Sequence, residues 1–233
     1  MKIFSVALLL LTATMTVHAA PAAPAAPAAE LPPLDATVTY DSKFVSHAGV
    51  TETRQFTNIL IRRPGHVWME RILPAQAQQH AEEHGGHKHF DFETSTQHLT
   101  RTATGAIRAE YVDRGQRRVV FVPPTEYSVS GFDGSWDNAA AMVSEKTVKA
   151  MALSKRVTTV ADTEWREESR NGWYNRVLWS NREKIALVVE SGKTDGSTTR
   201  RTVLALRPAT PDAALPWKQL GSYAQMEYDD FMD

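Results

Sequence analysis

The segment from Gln79 to Asp91 concentrates the residue types that bind transition metals. Four of the protein's eight histidines lie within ten positions of one another here, and carboxylates lie beside them. Imidazole nitrogen is a good ligand for Zn²⁺, Cu²⁺ and Ni²⁺, and carboxylates supply further oxygen ligands. The candidate metal ligands are His80, His84, His87 and His89, and the neighbouring carboxylates are Glu82, Glu83 and Asp91.

The spacing of these histidines suits convergence on one ion. If residues 75–84 form a helical turn, His80 and His84 lie four positions apart on one face of it. In an extended stretch, His87 and His89 point to the same side of the chain, because side chains alternate with a period of two. We therefore predict a copper or zinc site in this loop.

Two other interpretations of the His-rich loop stay open. It is either a solvated insertion on the surface or a pH sensor whose histidines become charged together near a pH of about 6.5. A catalytic zinc is disfavoured because the segment lacks the His-Glu-x-x-His spacing. His98 would join the four ligands only if its strand began beside the loop.

Residue usage elsewhere indicates a binding protein rather than an enzyme. The chain has no Cys, which excludes disulfides, thiolate-bound metals and a cysteine nucleophile. No serine lies in a Gly-x-Ser-x-Gly turn, and no segment matches a phosphate-binding loop. The net charge of −1 gives no basic footprint for nucleic acid. We predict a non-enzymatic protein with no nucleic-acid partner; a hydrolase with dispersed site residues is the alternative.

The first twenty residues predict a secretory signal peptide. Lys2 precedes a short apolar run, 3–11, and small residues near position 20 offer a cleavage site. The run is too short to span a bilayer, which needs about 20 residues; an uncleaved anchor is the alternative. No other long apolar run follows, so we expect no transmembrane segment in the mature protein.

Residues 21–30 predict a linker between this signal and the folded part. Proline recurs at every third position, which favours an extended chain and blocks a helix. Export without cysteine suits the bacterial periplasm, and a secreted location is the alternative. The single folded domain is then expected at 31–233.

The domain is predicted to be mainly β. Runs of β-branched and aromatic residues alternate with Gly, Pro and Asn breaks, which indicates about ten antiparallel strands in sequential order. The clearest turn is Asn171-Gly172, where both residues tolerate the positive φ of a type I′ hairpin.

One helix is predicted after the first six strands. It runs from Trp136 to Ala152, with Ser135 or Asp137 as its N-cap. A sheet of meandering hairpins tends to curl, so we predict a curved, open half-barrel covered by this helix. A closed lipocalin-type barrel is the alternative.

Three short motifs resemble the periplasmic lipoprotein-carrier superfamily that includes LolA, LolB and the RseB N-terminal domain. An Arg-Pro-Gly hairpin lies within residues 61–70, a strand–turn–strand lies within 111–121, and a late meander containing Val-Leu-Trp lies within 175–189. The resemblance implies an inner face that binds acyl chains or a lipidated partner, and it implies no catalytic residues. Arg62 and Arg63 are then either head-group contacts or solvated charges at a strand end.

These observations together predict a periplasmic binding protein with a lipoprotein-carrier-like scaffold. Its ligand is expected to be apolar or acyl, or an envelope protein, with a transition metal at the His-rich loop. The alternative is a copper- or zinc-delivery accessory protein. No individual lipid-binding residue is predicted. The tryptophans either line an apolar site or, as burial preferences favour, fill the core.

Overall fold

The first half of the fold is a run of six antiparallel strands, each paired with the next along the chain. A computed structural model describes residues 30–74 and 90–231. The predicted signal peptide, the linker up to position 29 and the four histidines of the His-rich loop lie outside the described residues. The six strands are β1 (Leu34–Val45), β2 (Thr51–Arg63), β3 (His66–Arg71), β4 (Thr96–Arg101), β5 (Ile107–Asp113) and β6 (Arg118–Val122).

The second half contains a second antiparallel meander and one edge strand. Its strands are β7 (Ala152–Leu153), β8 (Thr163–Arg170), β9 (Trp173–Ser180), β10 (Ile185–Lys193), β11 (Thr198–Arg207) and β12 (Ala224–Glu227). Asn171 and Gly172 have φ of 53° and 76°, so the predicted hairpin between β8 and β9 is confirmed. Both residues meet the demand of a type I′ turn for positive φ.

The strand order in the described part of the chain is β12-β6-β5-β4-β3-β2-β1-β11-β10-β9-β8-β7. The sheet is open, as predicted, and the closed-barrel alternative is wrong because β12 and β7 remain at opposite edges. The order is not sequential throughout, because the chain crosses from β6 to the far edge and returns so that β11 pairs with β1. β12 runs parallel to β6, so the antiparallel prediction is wrong for that strand.

The single helix predicted before β7 is wrong in its length. The segment contains two six-residue helices, α1 (Trp136–Ala141) and α2 (Glu145–Ala150). The break lies at Met142, whose φ of 66° cannot continue a helix. Ser144 then starts α2, because its hydroxyl accepts a hydrogen bond from the Thr147 backbone N–H. The N-cap of α1 is Ser135, one of the two predicted candidates.

Four short 3-10 segments complete the described chain. One follows β6, and the other three lie in the tail after β11. They are Pro124–Ser130, Asp212–Ala214, Pro216–Ser222 and Tyr228–Phe231.

Apolar side chains fill both faces of the sheet. The inner face, which α1 and α2 cover in part, carries the larger core. The outer face carries a smaller core that packs under Leu215 and Trp217 of the C-terminal tail. Large buried inner-face members include Leu60, Leu99, Tyr111, Trp136, Trp179 and Ile185, and Trp68 is the largest on the outer face. Trp136, Trp179 and Trp68 therefore fill cores.

Candidate functional site

The two helices leave part of the inner face uncovered. Four residues that pair across neighbouring strands form a continuous row there: Phe56 on β2, Tyr40 on β1, Thr202 on β11 and Val189 on β10. Paired residues point to the same face, and neighbouring strands lie about 4.8 Å apart, so the row is about 14 Å long. All four side chains are only partly buried. We call this row the inner strip.

The inner strip ends where the helices begin. Val189 pairs with Val177 of β9, which is buried against Val148 and Met151. At the opposite end, the rings of Tyr40 and Phe56 stack with centroids 4.5 Å apart. Burial raises the pKa of Tyr40 to about 12, against a lowering effect from Arg71, so its hydroxyl stays neutral at pH 7.

A charged side chain and an amide stand beyond Phe56. The Arg71 guanidinium carbon lies 3.5 Å from the centroid of the Phe56 ring, a cation–π contact. Arg71 on β3 pairs directly with Asn58 on β2. The Nε of Arg71 and the Oδ1 of Asn58 are buried atoms with no hydrogen-bond partner among the described residues. Burial lowers the pKa of Arg71, partly offset by the negative charges of Glu93 and Asp91 and by Tyr40.

Arg62 ties the edge of the inner core together. Its Nε donates to the Pro32 carbonyl (2.9 Å), and Nη1 donates to the carbonyls of Ala140 (2.7 Å) and Lys184 (3.2 Å). Nη2 donates to the carbonyl of Glu183. Burial lowers the pKa of Arg62 to about 10, against a raising effect from the Glu183 charge, so it stays cationic at neutral pH. Arg62 thus joins the N-terminal segment, α1 and the β9–β10 turn.

Arg63 has a similar structural role on the outer face. Its Nη1 donates to Asp35 Oδ1 (2.6 Å) and its Nη2 to the Thr210 carbonyl (3.0 Å). The other Asp35 oxygen accepts hydrogen bonds from the backbone N–H and the hydroxyl of Thr210. Arg62 and Arg63 are therefore internal clamps, and both sequence-based alternatives for them, head-group contact and solvated charge, are wrong.

A second polar cluster lies on the outer face. Glu110 Oε2 is 3.2 Å from His98 Nδ1, and His98 Nε2 is 3.1 Å from His66 Nδ1. The Trp217 ring lies nearly parallel to both imidazoles, with centroid distances of 4.9 Å to His66 and 5.5 Å to His98. Burial lowers the pKa of His66; the charges of His98 and Lys218 lower it further, and Glu110 opposes them.

His98 is held within this outer-face cluster: one of its ring nitrogens contacts Glu110 and the other contacts His66. Within residues 30–74 and 90–231, no group of three or more His, Asp and Glu side chains is placed to hold a metal ion. The metal prediction at His80, His84, His87 and His89 falls outside those ranges.

The outer face also carries an open polar groove of about 460 Å³. The residues that line it are all of charged or polar type. The lining residues are Asp41, Ser42, Lys43, Thr53, Arg54, Gln55, Thr199 and Arg201. No helix in the described part of the chain has the length and hydrophobicity to span a bilayer.

Comparison with known proteins finds similarity in fold alone. No family model and no curated protein matches the sequence. A structure of PNGF-II matches with 12% identity and a TM-score of 0.38, over 85% of this chain. The chain spans only 33% of that protein. A conserved protein from Thermus thermophilus matches with 8% identity and a TM-score of 0.40, over 83% of this chain and 90% of its own.

A third match is a domain from Vibrio parahaemolyticus assigned to outer-membrane lipoprotein sorting, with 10% identity and a TM-score of 0.32. The match covers 80% of this chain and 91% of that domain. The function proposed below rests on this chain's own side chains.

Proposed function

We propose that the protein is a non-enzymatic periplasmic carrier that holds one long apolar chain along the inner strip. The observation that supports this is the partly exposed row of Phe56, Tyr40, Thr202 and Val189 beside two helices of only six residues each. An apolar chain laid on this row would remove its aromatic and aliphatic surface from water, which favours binding by about 25 cal/mol per Å². A hydrophobic segment of an envelope protein is the other occupant of the same surface.

A charge placed in the inner strip tests this proposal. We expect the Val189→Asp variant to bind hexadecan-1-ol at least about tenfold more weakly than the unchanged protein, because a carboxylate beside an alkyl chain must be desolvated. Displacement of a bound fluorescent fatty-acid analogue by the alcohol, supplied from a cyclodextrin complex, measures the affinity.

The matched control for this test is Val203→Asp. Val203 on β11 pairs with Val188, which precedes Val189 on β10 and points to the opposite face of the sheet. Val203 therefore faces outward, and it is half-buried as Val189 is. We expect its affinity for hexadecan-1-ol to stay unchanged. Equal losses in the two variants, or no binding by the unchanged protein, would contradict the proposed site.

The His-rich loop supports metal binding as a second candidate function. Four imidazoles within ten positions are a compositional signal for Cu²⁺ or Zn²⁺. We expect the untagged protein to bind Cu²⁺ with submicromolar affinity in a calorimetric titration, with weaker binding of Zn²⁺. Changing His80, His84, His87 and His89 together to Ala is expected to abolish this binding.

The control variant for metal binding is His47→Ala, which removes an exposed histidine at the β1–β2 turn. It is expected to bind Cu²⁺ as the unchanged protein does. Weak binding that survives in the four-histidine variant would contradict a metal site in the loop and favour a solvated insertion.

A further inference from the structure

The inner strip has a cationic end. Arg71 lies against Phe56, the first residue of the row, and its register partner Asn58 stands beside it. The opposite end of the row meets the apolar side chains under α2. The surface is therefore amphipathic along its length, with one charged terminus and one apolar terminus.

Arg71 makes no ion pair with the acidic residues near it in the described chain. Asp91 acts as a local cap: its carboxylate accepts hydrogen bonds from the backbone N–H groups of Glu93 and Thr94 and from the Thr94 hydroxyl. Glu93 is exposed. Among the described carboxylates, none lies within ion-pair distance of the Arg71 guanidinium.

Two buried polar atoms at this end lack partners among the described residues: Arg71 Nε, a donor, and Asn58 Oδ1, an acceptor. Buried polar groups are nearly always hydrogen-bonded, and leaving one unpaired is costly. The five guanidinium N–H donors match the planar oxygens of a carboxylate or the oxygens of a phosphate. Nearby, Asn58 Oδ1 can accept a hydrogen bond from the O–H of a singly ionised phosphate monoester, whereas a carboxylate offers it no donor.

We propose that Arg71 and Asn58 form a head-group site for a single-chain anionic amphiphile whose alkyl chain lies along the inner strip. The site rests on the proposed carrier function and adds the chemistry of the ligand. A carboxylate or a phosphate ester at the head of the chain receives hydrogen bonds from Arg71. The cation–π contact of Arg71 with Phe56 places the charge at the end of the apolar row.

A set of amphiphiles that share one chain length separates the head from the chain. The probes are hexadecanoate, hexadecyl phosphate, hexadecan-1-ol and hexadecyltrimethylammonium. We expect the unchanged protein to bind both anions about tenfold or more tightly than the alcohol, because charge-assisted hydrogen bonds are added. The cation is expected to bind more weakly than the alcohol. The two anions distinguish a carboxylate head from a phosphate head.

The Arg71→Met variant tests the residue itself. We expect it to bind the anions and the alcohol with similar affinity, so that the preference for anions of about tenfold or more is lost. The control is Arg54→Met, an exposed arginine on β2 that pairs with Glu52. This variant is expected to keep the preference for anions.

Three results would overturn the proposal in different ways. Equal affinity of the unchanged protein for anions and alcohol would remove the head-group site and leave the apolar strip intact. Equal loss in Arg71→Met and Arg54→Met would show general attraction of anions instead of a site. No binding of any of the four probes would contradict the carrier function itself, and the head-group site with it.

Discussion

The Arg62→Met variant is expected to lose about 4 kcal/mol or more of its free energy of unfolding. Arg62 is 1% exposed and donates to four backbone carbonyls from three separate parts of the chain. Methionine fills a similar apolar volume but donates nothing, so four acceptors lose their charged donor. Each buried acceptor left unpaired costs roughly 1–3 kcal/mol. Because small domains are stable by only about 5–15 kcal/mol, the loss is a large share of the total.

Urea unfolding followed by far-UV circular dichroism measures this change. Arg170→Met is the control, since Arg170 is exposed near the β8–β9 turn, and its loss is expected to stay within about 0.5 kcal/mol. An Arg62→Met variant as stable as the control would show that water or a rearranged turn satisfies the carbonyls. Arg62→Lys is expected to fall between the two, because one ammonium cannot reach all four acceptors.

The role of Arg62 shows what local sequence patterns convey and what they omit. The period-two pattern places Arg62 on the same face as Leu60, which marks it as inward-facing. That signal was available in the sequence, but the partners were not, because they come from positions 32, 140, 183 and 184. Arginines at strand ends are exposed to solvent in most proteins, which is why the sequence suggested a solvated charge. In this fold, tertiary contacts bury Arg62 instead.

Strand content was predictable, whereas strand order was only partly so. Hairpins such as the one at Asn171-Gly172 are local, and turn chemistry specifies them. The pairing of β1 with β11 joins residues more than 150 positions apart, and no local pattern encodes it. β12 has only four residues in a tail broken by Pro and charged residues, so its parallel pairing with β6 left no periodic signal.

The candidate site was less predictable than the fold. Arg71 and Asn58 are ordinary strand residues in the sequence, and only the register shows that they are paired, each with a buried polar atom that lacks a partner among the described residues. His66 and His98 are likewise isolated in the sequence, and the β3–β4 pairing together with the tail residue Trp217 assembles them with Glu110. Clusters built across strands become visible only once the register is known.

The Asp35→Asn variant is expected to change how stability depends on pH. Burial alone raises the pKa of Asp35, but hydrogen bonds from Thr210 and Arg63 and the charge of Arg63 outweigh it, so its pKa lies below the ordinary value. A carboxyl with a lowered pKa contributes its full stability above its unfolded pKa of about 3.9. That contribution is lost as pH falls through the folded pKa, because the unfolded chain then binds more protons.

Asp35→Asn is therefore expected to be less stable than the unchanged protein by about 2–3 kcal/mol at pH 7 and by progressively less as the pH falls below about 4. Asparagine keeps one acceptor but leaves Arg63 without its ionic partner. Urea unfolding at pH 7, 5, 4 and 3 measures the difference. His66, whose lowered pKa costs stability as pH falls below about 6.5, is present in both proteins, so its effect cancels in the difference.

The control for the acid range is Asp212→Asn, an exposed carboxylate that pairs with Lys218. Exposed ion pairs contribute little, so its stability is expected to follow that of the unchanged protein within about 0.5 kcal/mol at every pH. A stability deficit in Asp35→Asn that stays constant from pH 7 to pH 3 would contradict the assignment, because it would mean that the lost hydrogen-bond geometry matters and the carboxylate charge does not. A converging pair of curves would identify the Asp35–Arg63–Thr210 contact as the ionised clamp that holds β1 to the tail after β11.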